Sequence, residues 1–177
     1  LSLYALPRLS SKLGQNERSM YSFISSAEPA GLTWYLRTTE YEKSNPAILT
    51  VDYLFDYFIG NIRLAAIERE SLQLISKVKN SLIRVEASNI IEQRIVKIIG
   101  ILEIASSNLP ILTEIDSIYF ALNDKNITIE NLKEILDSLV NRKILRFKNY
   151  SNCYVTWEGT DFNFDKAITE SSEKIIN

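Results

Sequence analysis

Apolar residues recur at helical spacing along most of the chain and change period only in its last third. Leu6, Leu9 and Leu13 form the first stripe, with Pro7 suited to a first helical turn and Gly14 to the stop. Asn16 is placed to cap a second helix with Met20, Phe23 and Ile24 on its apolar face. Glu28-Pro-Ala-Gly31 reads as a loop, Leu32, Tyr35 and Leu36 as a short helix, and the polar run from Thr39 to Pro46 as a second loop.

Thr50 is the predicted cap of a strong helix carrying Val51, Leu54, Phe55, Phe58 and Ile62, and the pattern resumes with Leu72, Ile75, Val78 and Leu82. From Thr50 to about Val85 the spacing fits one long helix or two in sequence. Ser88 opens the next, with a stripe of Ile91, Ile95, Ile98, Leu102 and Ala105, broken by Asn108-Leu-Pro110. Ile111, Ile115, Ile118, Tyr119 and Leu122 form another face, and Asn123-Asp-Lys-Asn126 a turn. Thr128 then precedes a helix with Ile129, Leu132, Ile135, Leu136 and Leu139 on one side. Finally, Ile144–Lys148 and Cys153–Trp157 have strand character, and the polar Asn149-Tyr-Ser-Asn152 between them fits a hairpin.

Amphipathic helix, basic strand, polar turn and aromatic strand, in that order, predict a winged helix, a module that docks on nucleic acid or protein. Five glycines and four prolines in 177 residues agree with long elements and few turns. The expected architecture is mostly α: a helical bundle over residues 1–86, a winged helix-turn-helix with a small β-wing over 87–168, and a tail over 169–177.

Composition narrows the chemistry. Apolar residues at 46% supply a core, and 20 basic against 22 acidic residues leave a net charge of −2, without the surplus of a general polyanion binder. The absence of histidine removes the commonest general base and metal ligand, and Cys153 alone builds neither an internal disulfide nor a thiolate zinc site. A cytoplasmic location is expected, with no metal and no membrane partner. A chain that starts at Leu1 and holds only Met20 reads as a piece of a longer protein.

A phosphate cradle needs closely spaced glycines before Lys-Ser/Thr, but the nearest pair here is Gly14 and Gly31. Ile48-Leu-Thr-Val-Asp52 has the outline of a strand ending in an acid, yet its continuation has helical period, so Asp52 reads as an early-turn carboxylate. Asp52 with Asp56, and Glu68 with Glu70, read as charges on solvated helix faces rather than catalytic pairs. No catalytic residue is predicted.

Gly14-Gln-Asn-Glu-Arg18-Ser-Met resembles the segment of AAA+-type ATPases in which an arginine opens a lid helix. Leu6–Ile24 and Thr156–Asp165 together resemble the C-terminal lid plus winged helix of prokaryotic AAA+/STAND-type ATPases, among them large proteins suspected in defence against phage. The resemblance implies a non-catalytic regulatory and interaction segment of a nucleotide-switched ATPase. Its partners would be the ATPase core and neighbouring domains. ATP and magnesium would belong to the parent, with no cofactor in this chain. Arg18, with Asn16, would sense nucleotide there. The residues alone equally allow Arg18 to be a solvated charge beside Glu17.

The alternative is an independent winged-helix transcriptional regulator. A recognition helix normally enters the major groove. The solvent positions predicted here are Glu130, Asn131, Lys133, Glu134, Asp137, Ser138 and Asn141, a face dominated by acids. The wing offers Lys143, Arg146 and Lys148 to phosphates, with Tyr150 in its turn; Tyr150, Tyr154 and Trp157 read first as wing packing. From Pro110 to Asn177, 8 basic and 11 acidic residues give a net of −3, so DNA contact is expected to be weak and protein contact to dominate.

Overall fold

The computed structural model describes residues 1–13, 19–40, 43, 47–60, 69–106 and 113–157, apart from the side chains of 69 and 70. Among these, the fold is mostly helical with one small antiparallel sheet. The helices are α1 (Ser2–Leu13), α2 (Met20–Ser25), α3 (Leu32–Thr38), α4 (Val51–Phe58), α5 (Arg69–Ile83), α6 (Ile90–Ala105), α7 (Ile115–Leu122) and α8 (Ile129–Asn141). Strands β1 (Leu145–Lys148) and β2 (Cys153–Thr156) close the described chain.

Helix α6 is the axis of the molecule. The expected stripe of Ile95, Ile98, Leu102 and Ala105 is buried, but so are Val96, Ile99, Ile101 and Ile104. A helix apolar over most of its circumference is stable only when neighbours cover that surface. Here α1, α4, α5, α7 and β2 all pack on α6, and one hydrophobic cluster runs from Ala5 to Tyr154. Gly100 permits the α5 crossing: a Cβ built there would stand 2.5 and 2.6 Å from the two γ-carbons of Val78.

Several local expectations need correction. Pro7 lies inside α1, not in its first turn, so the helix lacks the N–H of that residue. Ala5, Leu6, Leu9 and Leu13 are nonetheless buried, and the Ser2 hydroxyl donates to the Leu49 carbonyl at 2.7 Å, so packing and tethering offset the missing bond. The cap of α2 is Ser19, in a reciprocal box with Ser22, rather than Asn16. Of its predicted face only Phe23 is buried, against Tyr57 and Phe58; Met20 and Ile24 are exposed. Thr50 occupies the cap of α4 but its side chain makes no capping bond. Between Thr50 and Val85 the described residues hold α4, which closes at Phe58, and α5, Arg69–Ile83; Ile62 lies outside them. Asn89, not Ser88, caps α6, accepting from the Glu92 N–H at 3.2 Å. Tyr119 is exposed on α7, as is Ile129 on α8.

Polar bonds join elements distant in sequence. The Lys12 ammonium donates to the Ile104 carbonyl at 2.8 Å, a cation at the C-terminus of α6. Arg94 of α6 donates to Asp52 at 2.9 Å, to Asp124 at 3.1 Å and to the Leu122 carbonyl at 2.6 Å, tying α4 to the turn after α7. Lys97 pairs with Asp56 at 2.7 Å, and Arg142 with the buried Glu92 at 2.6 Å. Asp52 and Asp56 are therefore structural ion-pair partners. Glu68 and the side chain of Glu70 lie outside the described residues. No helix among the described residues is long and apolar enough to cross a membrane.

Candidate interaction site

Thr128 and Asn131 exchange capping bonds at the start of α8, so the helix begins where the sequence places it. Leu132, Leu136 and Leu139 are buried beneath it. Glu130, Asn131, Lys133, Glu134, Asp137, Ser138 and Asn141 are all exposed, as the periodicity requires. The acid at Glu130 is held below its ordinary range by backbone N–H and by the Thr128 hydroxyl at the helix start. Lys133 is the one base on this face.

Helix α8 ends in a Schellman turn. The Ile144 N–H donates to the Leu139 carbonyl at 2.9 Å and the Lys143 N–H to Val140 at 3.0 Å. Lys143 stands at φ 56°, left-handed backbone that usually favours glycine, and its side chain is exposed. The chain then enters β1. Leu145 pairs with Thr156, Arg146 with Val155, Phe147 with Tyr154 and Lys148 with Cys153. Alternation puts Arg146 and Lys148 on one face and Leu145 and Phe147 on the other, where Phe147 meets the Tyr154 ring at 4.9 Å. Arg146 is exposed, Lys148 half-buried, and Tyr150 stands 86% exposed in the turn. Of the aromatic residues expected to pack the wing, Tyr154 does so; Tyr150 does not. The turn closes through Asn152 in left-handed backbone, φ 52°.

Four anchors fix this hairpin. The Tyr154 N–H donates to the Thr113 carbonyl at 3.0 Å, and the Thr113 hydroxyl returns a bond to the Tyr154 carbonyl. The Ser81 hydroxyl of α5 donates to the Ile144 carbonyl, and Arg84, just past the end of α5, to the Lys143 carbonyl, each at 2.9 Å. From α6, Glu103 accepts the Thr156 N–H at 2.9 Å and its hydroxyl at 2.7 Å. Sequence reading missed Arg84, Arg94 and Glu103, because a lone charge on an amphipathic helix carries no local mark of its partner.

Burial raises the Glu103 pKa above its ordinary 4.5; the Thr156 bonds and the charges of Lys148 and Lys77 oppose this without cancelling it. The folded state thus binds the proton more tightly than the unfolded chain. The associated stability is full below pH 4.5 and is lost as pH rises through the folded pKa. Glu103→Gln keeps an acceptor for Thr156 and removes the charge. It is expected to flatten the pH profile of stability above 4.5, read as urea midpoints from acid to neutral pH. A profile parallel to wild type would count against this role.

Away from the hairpin residues, an open apolar groove of about 500 Å³ runs between α1, α2, α4 and α7, lined by Leu3, Leu6, Ile24, Ile48, Leu54 and Phe120. A polar pocket of about 480 Å³ adjoins it, containing Arg94, Asp124, Lys125, Tyr35 and Glu40. Arg94 is already engaged by Asp52, Asp124 and the Leu122 carbonyl. Arg18 and Asn16, the residues that the resemblance assigns to nucleotide sensing, lie outside the described residues. Lys143, Arg146, Lys148 and Tyr150 are brought together on the hairpin, while Lys133 is on the exposed face of α8.

Comparisons with protein-family models, with curated proteins and with solved structures return no match to this chain.

Proposed function

We propose that this chain is a docking and regulatory module, a lid-like helical bundle joined to a winged helix, acting without catalysis within a larger nucleotide-switched ATPase of the kind suspected in phage defence. The observation that carries the winged-helix reading is the bond pair between Thr113 and Tyr154. It fastens Thr113, lying between α6 and α7, to the outer side of the β1–β2 hairpin. Helix, a segment bonded to the sheet, two helices and hairpin is the order of a winged helix. The exposed acids Glu130, Glu134 and Asp137 support protein contact over base readout by α8, since they would face a polyanion with like charge. The ATPase part of the reading rests on the resemblance of Leu6–Ile24 and Thr156–Asp165.

Two measurements test it. The encoding gene should contain a glycine-rich phosphate loop upstream of Leu1; a start codon immediately before that residue would favour the transcriptional regulator. Calorimetry of this chain with ATP and magnesium should show no site tighter than about millimolar, since tight phosphate binding draws on a cradle of backbone N–H groups. A micromolar site would overturn the non-catalytic assignment.

A further inference from the structure

We infer that the β1–β2 hairpin and the C-terminal half of α5 together form a docking edge for the phosphate backbone of nucleic acid, held without regard to base sequence. The two segments are far apart in the chain, and each is free of acids. From Ser71 to Val85 the charged residues are Lys77, Lys79 and Arg84; from Ser138 to Trp157 they are Arg142, which is held by Glu92 of α6, and Lys143, Arg146 and Lys148. The fold joins them. Arg84, in the turn that follows α5, donates to the Lys143 carbonyl at 2.9 Å, and Ser81 of α5 donates to Ile144 at 2.9 Å, so the Arg84 guanidinium is held at the base of the hairpin. Lys77 and Lys148, from the two segments, both act on Glu103. That carboxylate is itself occupied by Thr156.

The geometry suits phosphates. Arg146 and Lys148 share one hairpin face and are about 7 Å apart along the strand, near the separation of neighbouring phosphates. Of the α8 acids, Asp137 acts on Tyr154, whose side chain belongs to the face opposite Arg146 and Lys148. Tyr150, 86% exposed at the tip, presents a ring on which a base can stack, and the neighbouring Asn149 and Asn152 are exposed hydrogen-bonding side chains. An acidic protein partner fits less well. Protein interfaces are built around buried apolar anchors with lysine depleted, whereas nucleic-acid interfaces are strongly basic and polar. The edge is also preorganised by its bonds to α5, α6 and Thr113, so little ordering opposes binding. This inference stands independently of the ATPase reading.

The test is fluorescence anisotropy with the full chain, a random-sequence duplex and a random single strand, over a salt series. With Arg84, Lys143, Arg146 and Lys148 engaged, duplex affinity should fall with a log–log salt slope of about −3.6, from a Kd in the range of about 1–100 μM. Changing the duplex sequence should leave affinity unaltered. Lys143→Asn with Arg146→Gln, where asparagine tolerates the left-handed backbone, should weaken binding at least tenfold and bring the slope nearer −1 or −2, roughly one unit per lost contact. Arg146→Gln alone keeps the turn intact and should give about half that change in slope. Tyr150→Ala should weaken the single strand several-fold. Lys133→Gln, on the separate α8 face, should change nothing. No binding at low salt, equal weakening by Lys133→Gln, or a polyglutamate peptide that binds as tightly as duplex with the same dependence on Arg146 would each overturn the proposal.

Discussion

Arg94→Ala is expected to lower the free energy of unfolding by about 3 kcal/mol, the range found when one partner of a largely buried ion pair is removed. The guanidinium makes one bond each to Asp52, Asp124 and the Leu122 carbonyl. Its side chain is 22% exposed, and those of the two acids 13% and 19%, so solvent screening is modest. Without it, two carboxylates and the carbonyl near the end of α7 lose their shared donor, and the tie from α4 to α7 through α6 is cut. Arg94→Lys should recover less than half of the loss, because an ammonium cannot reproduce a planar fork aimed at three acceptors. Urea denaturation of the three proteins decides this. A loss below about 1 kcal/mol for Arg94→Ala would place the cluster with ordinary surface pairs.

Gly100→Ala is expected to destabilise by about 1–2 kcal/mol, although alanine is the better helix former by about 1 kcal/mol. The added methyl would meet both γ-carbons of Val78 at 2.5 and 2.6 Å, too close for either helix to keep its place. Val78 is fully buried, so its side chain has no open space to move into. Val78→Ala alone should also destabilise, by leaving a void of two methyl groups. The pair should cost less than the sum of the single changes, because the alanine at position 100 fills part of that void. Additive losses in a double-mutant cycle by thermal or urea unfolding would show that the helices do not cross at this point.

The local pattern located nearly every described helix and both strands, for a physical reason particular to each. Leu132, Leu136 and Leu139 recur at helical spacing behind a Thr128–Asn131 box, so α8 is defined by neighbours in sequence. The hairpin is likewise local: four polar residues separate two strand-like runs. Local signals failed where two readings competed for one terminus. Ser19 capped α2 because it lies three residues before a serine that can return its bond. Pro7 entered the middle of α1 because the buried face of Ala5, Leu6 and Leu9 outweighed one lost hydrogen bond. Met20 and Ile24 kept helical spacing but found no covering element among the described residues.

Local spacing and residue type are enough to define a mostly helical chain, the amphipathic face of α8, its acidic outer surface and the basic character of the hairpin. Each follows from side chains a few positions apart on one element, where spacing fixes direction. Packing in three dimensions sets the rest: five elements surround α6, Arg94 and Glu103 are fastened to distant segments, and Arg84 stands at the foot of the hairpin. A net charge of −3 over residues 110–177 sums the acids of α8 with the bases of the wing. The fold separates them, setting the hairpin bases beside those of α5. Electrostatic attraction depends on distance in space, and that distance is set by packing rather than by position along the chain.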